Sequence, residues 1–333
     1  MRKGSFPEKI RISIGSAIVL GLMKGRLDAA PTTVYLLTYH PGKCRANCRF
    51  CSQARTSKGN ADMLSRVSWP LFPTEQVFRR IEQTDRGDPI KRVCIQALNY
   101  PMALEDVCNL AREIKSRVGV PISVSCQPLD RKHMKKLFEV GVDRVSIALD
   151  TATKELFDRV KGSLTGGPYV WEEHRRALKE AVQTFGDGSV STHLIAGLGE
   201  SEKEIIRTIQ WCVDMGVYPG LFAFTPIPGT ALEKKCQPPL KYYRKLQIAH
   251  FLITREKTRY ENMRFSGDNR LTDFGVQEAV VRRLIKTGRP FLTTGCPDCN
   301  RPYYNEKPGG PIYNYPRRPS KEEITKIEKE IEM

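Results

Sequence analysis

Short apolar runs alternate with amphipathic stretches from residue 34 to residue 265, and this alternation constrains the fold more than any other feature. Residues 34–39, 92–98, 121–126, 144–149, 190–196, 220–225 and 262–265 read as strands. Between them, residues 104–117, 131–140, 170–184, 202–215 and 240–258 carry helical periodicity. Such alternation means parallel strands joined by helical crossovers. The number of strands fits a closed or partly closed (β/α) barrel better than a flat doubly wound sheet, although alternation alone does not separate the two. Both place chemistry at the carboxyl ends of the strands. The polar segments Gly197-Leu198-Gly199-Glu200 and Pro226-Ile227-Pro228-Gly229-Thr230 agree with a site at that rim.

The chain has 333 residues, 40% hydrophobic and 27% charged, enough for a large core without disulfide staples. No uncharged run is long enough to cross a bilayer. Residues 1–30 begin basic (Arg2, Lys3, Lys9, Arg11) and continue through an apolar stretch, 12–23, that imitates a secretory signal. A helix covering one end of a barrel accounts for the stretch as well, and the cysteine chemistry described next needs a reducing compartment, so a cytoplasmic location is expected. After about residue 288 the composition shifts to Pro, Gly, Tyr and Asn, ending in a charged helix over 320–333 with Ser320 and Glu323 as a capping box. The expected organisation is an N-terminal helical segment (1–30), a barrel (31–288) and a C-terminal extension (289–333). With 54 Lys and Arg against 37 Asp and Glu, the net charge of +17 favours an anionic partner or marks a solvated basic surface.

Three of the ten cysteines lie in one loop, Cys44-Arg45-Ala46-Asn47-Cys48-Arg49-Phe50-Cys51, directly after the first strand. Three soft ligands on one short loop suit an iron–sulfur cluster with one iron left open to a small molecule. Zinc would want a fourth ligand, for which His40 is the nearby candidate. A second constellation, Cys296-Pro297-Asp298-Cys299, is a metal knuckle that supplies half a site. Its remaining ligands could come from Cys236, a non-cysteine side chain or a partner. Cys94, Cys108, Cys126 and Cys212 fall in apolar patterns and read as core. His133, His174 and His250 read as surface or satisfied core residues, and His193 stands on a strand.

The Cys44, Cys48, Cys51 loop resembles the signature of radical S-adenosylmethionine enzymes, with Phe50 as the aromatic residue before the last cysteine. The resemblance runs from about residue 34 to 270. It implies a partial (β/α)6 TIM-like barrel, a [4Fe-4S] cluster on the three cysteines, and S-adenosylmethionine cleaved to a hydrogen-abstracting radical. It also implies cofactor contacts from Gln96, in a degenerate Cys94-Ile95-Gln96-Ala97-Leu98 element, from Asp150 toward the ribose, and from Ile195 and Gly197 on the adenine. Pro226, Gly229 and Thr230 look like the turn after the sixth strand. Capping of the next helix is the alternative role of Asp150.

Within that superfamily the chain is similar to the biotin synthase group. Cys94 matches the first cysteine of that group's second cluster, while Ser123 and Ser191 occupy the other two positions and residues 265–269 lack the expected arginine. The segment Cys296-Pro297-Asp298-Cys299-Asn300-Arg301-Pro302-Tyr303-Tyr304 resembles the C-terminal segment of the archaeal two-component lipoyl synthases. That likeness implies sulfur insertion into an octanoyl chain on a carrier protein, an auxiliary iron–sulfur cluster involving Cys296 and Cys299, and Arg301 or Asn300 orienting it. Implied partners are the octanoylated lipoyl carrier, a second radical S-adenosylmethionine synthase subunit and an electron donor such as a ferredoxin. Biotin synthase, a skeleton-rearranging relative such as methylornithine synthase, and a zinc-containing nucleic-acid-binding protein are the alternatives.

Overall fold

The computed structural model describes residues 6–84, 90–306 and 309–332. Twelve strands are present among these residues. They are β1 (Lys9–Ile12), β2 (Thr33–Thr38), β3 (Met63–Leu64), β4 (Val67–Ser68), β5 (Leu71–Pro73), β6 (Arg92–Gln96), β7 (Ile122–Cys126), β8 (Arg144–Ile147), β9 (Val190–Ala196), β10 (Val217–Ala223), β11 (Arg264–Phe265) and β12 (Leu271–Asp273). The main sheet has the order β10-β9-β8-β7-β6-β2-β1-β5. From β2 to β10 each strand lies parallel beside its predecessor in the sheet. A monotonic order with no reversal is a barrel progression, not a doubly wound sheet.

The barrel has six parallel strands and stays open, with β10 at one edge and the antiparallel pair β1 and β5 at the other. Residues 262–265, expected as a seventh barrel strand, instead give β11, which pairs antiparallel with β12 in a separate hairpin. The polar turn Ser266-Gly267-Asp268-Asn269 between them reverses the chain at once, leaving no length for a crossover. The apolar N-terminal stretch also departs from expectation. It opens with strand β1, which pairs with β2, and only Ile14–Val19 are helical, capped by Ser13. The helix lies against the start of β2, where the Ser16 hydroxyl receives the Tyr35 N–H at 3.0 Å.

Side chains alternate across each barrel strand. Val34, Leu36, Val93, Ile95, Val124, Val145 and Ile147 pack in the core shared with the helices. Tyr35, Cys94, Ser123 and Arg144 form a row on the inner face, each the registered neighbour of the next. The helices expected after β6, β7, β9 and β10 form as Ala103–Arg117, Arg131–Glu139, Glu202–Asp214 and Leu240–Thr254, and Trp171–Phe185 precedes β9. Thr74–Gln83, Lys154–Val160 and Glu278–Thr287 are helices that the periodicity did not single out. None is longer than ten residues, so they show few turns of apolar period.

The C-terminal segment spans the opening of the barrel. Thr294 Oγ1 accepts from Leu221 N on β10 at 2.7 Å, and Asn300 Oδ1 accepts from Thr32 N, beside β2, at 3.0 Å. The terminal helix Lys321–Glu332 docks on Leu240–Thr254 through Arg244, whose buried guanidinium meets Glu330 at 2.9 Å and the Tyr313 carbonyl at 2.7 Å. Residue 333 of the expected helix, and Met1 to Ser5 of the basic start, lie outside the described residues. No described helix is long and apolar enough to cross a membrane.

Candidate functional site

The loop after β2 is folded by its own backbone. Cys51 N donates to the Cys48 carbonyl at 3.1 Å, Arg55 N to Ala46 O at 2.9 Å and Cys44 N to Gln53 O at 3.2 Å. Arg45 N and Arg49 N tie it to Asn99 O and Val160 O, both at 2.8 Å, and Asn99 N donates to Cys44 Sγ at 3.3 Å. The three thiols are half-buried. Burial pushes the Cys48 thiol well up, and Cys51 and Cys44 add to the rise; burial likewise pushes Cys51 up to about 12. Packing three buried thiols together is unfavourable for free thiolates, and the cationic irons of an iron–sulfur cluster would stabilise the thiolate form. His40, the zinc candidate, is stacked on Tyr100 with ring centroids 4.9 Å apart. Among the described residues no three His, Cys, Asp or Glu side chains are arranged around a single ion. Donors to a cluster bind separate irons and stand further apart than donors to one metal.

Phe50, Cys51, Gln96, Asp150 and Ile195 line one cavity of about 170 Å³ at the carboxyl end of the barrel. Gln96 is buried and its Nε2 has no hydrogen-bond partner, so the cavity wall presents an orphaned donor that a polar cofactor group would satisfy. Asp150 does not cap the next helix; Thr153 does, accepting from Leu156 N. Asp150 instead sits at φ 66°, in the left-handed region, held by backbone bonds to His193 O at 2.7 Å and from Ile195 N at 2.9 Å. Its carboxylate pairs with Lys161 Nζ at 2.6 Å, both side chains being buried. Lys161 also donates to Ala148 O and lies 5.2 Å from the Tyr169 ring centroid. Sequence reading missed this lysine because it belongs to no motif.

Gly197 and Pro226 are not among the residues that line that cavity. Gly197 has φ +100°, and a Cβ there would come within 2.9 Å of Pro238. Its N–H and those of Leu198 and Gly199 donate to the Glu200 carboxylate at 2.5, 3.1 and 3.0 Å. Glu200 is thus a brace for the turn, itself held by Tyr242 OH at 2.7 Å, and Ser201 starts the helix with a full capping box. Pro226 O accepts from Arg66 at 3.2 Å. The neighbouring Gly229, at φ +78°, packs directly on the cysteine loop: a Cβ there would meet the Gly59 backbone at 2.4 Å.

Toward the amino ends of the strands, a narrow second cavity of about 30 Å³ is lined by Cys94, Cys296 and Cys299. The knuckle is a turn with Pro297 at its second position, φ 63° at Asp298 and a 3.0 Å bond from Cys299 N to Cys296 O. Cys299 Sγ lies 3.1 Å from Tyr35 OH and Cys296 Sγ 3.4 Å from Ser123 Oγ. Cys94, expected as core, lines this cavity, whereas Cys108 and Cys212 are buried in the core as expected. Burial pushes the Cys94 thiol up to about 12; Arg301 and Arg92 oppose the shift, while Cys296 and Cys299 add to it. Cys236, the other ligand candidate, is exposed and does not line the cavity.

Asn300 and Arg301 divide their expected role. Asn300 clamps the segment to Thr32 and, through Nδ2, to Ala30 O at 2.8 Å. Arg301 enters the barrel, its guanidinium 5.4, 5.3 and 5.0 Å from the ring centroids of Tyr35, Phe222 and Tyr304. Arg301 and His193 line both cavities. Burial holds His193 neutral, its pKa down to about 3, with Arg301 and Lys161 acting in the same direction. His174 and His250 are satisfied core residues, bonded to Val170 O at 3.0 Å and Pro219 O at 2.6 Å.

Residues 38–212, more than half of the chain, match the profile of the Radical SAM superfamily. Biotin synthase of Aquifex aeolicus is 25% identical over 272 residues, covering 79% of this chain and 75% of that protein. Biotin synthase of Sulfurihydrogenibium sp. is 28% identical over 204 residues, covering 60% of this chain and 57% of its own length, less than two thirds of it. The solved structure of methylornithine synthase is similar in fold, with a TM-score of 0.51 at 18% identity over 73% of this chain and 67% of that one. The three-cysteine loop at the carboxyl rim and the unsatisfied Gln96 amide in the cavity below offer donors that a [4Fe-4S] cluster and S-adenosylmethionine would use. The chain belongs to the radical SAM superfamily, as a biotin synthase-like enzyme that uses both of those cofactors.

Proposed function

We propose that this enzyme inserts sulfur into unactivated C–H bonds of an octanoyl chain on a carrier protein, as a component of lipoyl synthase. The observation that carries the reading is the presence of two thiol sets in one barrel, Cys44, Cys48 and Cys51 at the carboxyl rim and Cys296 with Cys299 beneath, with Arg301 and His193 between them. When bound, the cluster and S-adenosylmethionine supply a hydrogen-abstracting radical, and a second cluster at the knuckle is the sulfur source. The chain's own residues then have distinct tasks. Cys44, Cys48 and Cys51 hold the first cluster. Phe50, Gln96, Asp150 and Ile195 orient the nucleotide, with Lys161 fixing the Asp150 carboxylate. Neutral His193 and caged Arg301 keep water and loose cations away from the space where carbon and sulfur meet.

A third cavity, about 620 Å³ and mostly apolar, opens beside Arg301 and Tyr304 along Ile14, Leu27, Val67 and Trp69. Its apolar walls suit an alkyl chain, and Arg26, Asp28, Arg66 and Glu306 line it as well. A net charge of +17 favours encounter with an acidic carrier domain and an acidic ferredoxin. The biotin synthase reading is the second one, favoured by the identities with biotin synthases and opposed by Ser123 and Ser191, which line the cavity beside Cys94 at the positions where that group has cysteines. Anaerobic incubation separates them. Octanoylated carrier should stimulate 5′-deoxyadenosine formation and gain sulfur by mass spectrometry, with and without a second synthase subunit; turnover with dethiobiotin instead overturns the lipoyl reading.

A further inference from the structure

Three cavities meet at one side chain. Arg301 lines the narrow cavity beside the knuckle, the cofactor cavity and the apolar cavity along Trp69, and no other residue lines all three. Tyr304 stands beside it, and Arg301 and Tyr304 are the residues common to the cofactor cavity and the apolar cavity. These two spaces, about 170 Å³ and about 620 Å³, are therefore parted by a partition of two side chains. Apolar walls stand on both sides of it, Leu27, Val67 and Trp69 in the larger space and Phe50, Ile195 and Phe224 in the smaller.

The partition is anchored through its backbone. Arg301 N donates to Tyr35 OH at 3.1 Å, and Ser65 Oγ donates to the Tyr304 carbonyl at 2.9 Å. The Tyr303 hydroxyl fastens the same stretch to Asp28 of the N-terminal segment. Arg301 at φ 28° and Tyr303 at φ 54° take left-handed conformations that are uncommon outside glycine. Such strain persists only where surrounding contacts impose it, and it gathers at ligand clamps and switch regions. The side chains are held in another way. Among the described residues the Arg301 guanidinium makes no hydrogen bond and no ion pair, and rests on three aromatic faces, the Tyr304 ring being the nearest at 5.0 Å. The Tyr304 hydroxyl makes no hydrogen bond among these residues either. Turning both side chains aside thus breaks no hydrogen bond and strands no buried partner, the losses that make most interior movements costly.

We infer that Arg301 and Tyr304 form a gate through which the uncharged end of an alkyl chain passes from the apolar cavity into the cofactor cavity, with the Tyr304 ring setting how far it reaches. The guanidinium selects what passes. It repels a cationic end, and it retains a carboxylate by pairing with it, so an apolar chain end is what moves on. The smaller cavity has room for the end of a chain only. The inference rests on the functional reading above for the identity of the chain, and on the shared lining of the two cavities for the gate itself.

The test uses the full chain, reconstituted anaerobically with iron and sulfide, and peptides carrying hexanoyl, octanoyl or decanoyl groups on a lysine. With an uncleavable S-adenosylmethionine analogue bound and the terminal methyl of the octanoyl group deuterated, electron–nuclear double resonance reports whether the chain end lies beside the reduced cluster. Wild type should show that coupling. Tyr304→Trp should bind the peptide yet lose the coupling, because the larger ring fills the passage. With S-adenosylmethionine itself, Tyr304→Ala should move the preference in kcat/KM about tenfold from octanoyl toward decanoyl, a discrimination that a methylene or two supports in an apolar site. Tyr304→Phe, which keeps the ring, should keep the octanoyl preference. Arg301→Met, which gives up the ring-face contacts, should move it in the same direction as Tyr304→Ala. Iron content is measured alongside, since Arg301 lies close to Cys299 in the chain, and a shift confined to iron-depleted protein overturns the inference. Absence of the coupling in wild type overturns it too. Sulfur insertion with coupling and chain preference indifferent to both residues overturns the gate alone, whereas coupling without sulfur insertion sinks the functional reading and leaves the gate standing.

Discussion

The two thiol sets are built by opposite routes. Cys44, Cys48 and Cys51 share one loop whose conformation is set by bonds among residues 44–55 and to the adjacent strand ends. Cys94, Cys296 and Cys299 come from opposite halves of the chain and meet only because the C-terminal segment threads from Leu221 on β10 to Thr32 beside β2. A site on one loop depends on local structure, whereas a site made by chain closure depends on every contact that holds the closure. The first set should therefore tolerate damage to the C-terminal segment, and the second should not.

The sharpest break of that comparison is the Cys44/Cys48/Cys51→Ala variant. It should lose 5′-deoxyadenosine formation down to the enzyme-free background while its thermal unfolding stays close to wild type, as read by chromatography and circular dichroism. Next come two buried ion pairs, one on each side. Arg244→Met strands Glu330 and removes the donor to the Ile312 carbonyl, and Lys161→Met strands Asp150. Each should cost about 3–5 kcal/mol in urea unfolding. The first should deplete the knuckle's iron and spare the loop's; the second should weaken S-adenosylmethionine binding in equilibrium titrations.

Acid should destabilise both sides through buried histidines, His174 behind the loop and His250 behind β10. Burial pushes their pKa values down to about 3 and about 4. Below about 6.5 the unfolded chain takes up protons that the folded chain refuses. Stability present above that pH should fall as pH drops toward 4, by about 1.4 kcal/mol per pH unit for each histidine. His250→Gln should flatten part of that slope in urea unfolding followed against pH. The smallest effect is expected from Asn300→Ala, which unclamps the segment from Thr32 and Ala30. A loss of about 1 kcal/mol should appear together with faster chelator removal of knuckle iron, and the loop cluster should be unchanged.

Legibility in the sequence follows the same division. The loop cysteines, Phe50 and the barrel alternation are local patterns, and each is found where its spacing implies. By its pattern Cys94 reads as core and only the likeness to the biotin synthase group singles it out, because a cysteine in an apolar strand carries no sign of which face it lines; one residue of register decides between helix layer and barrel interior. Lys161 escapes notice and Glu200 reads only as part of a polar rim segment, because a lysine near a helix end and an acid before a helix are ordinary in isolation. The expectation of Gly197 on the adenine rests on likeness alone, and the fold shows it in a turn that no side chain fits. The expected seventh strand failed because a short apolar run does not reveal whether its partner is the barrel or the next few residues.

By itself the sequence determined a parallel α/β chain with a three-thiolate loop at a strand's carboxyl end, since periodicity and spacing are properties of neighbouring residues. Only the tertiary structure decided that the barrel stops at six strands, that Asp150 faces Lys161, and that the knuckle lands on either side of Cys94. Those facts depend on strand order and register, which are settled by packing between segments far apart in the chain.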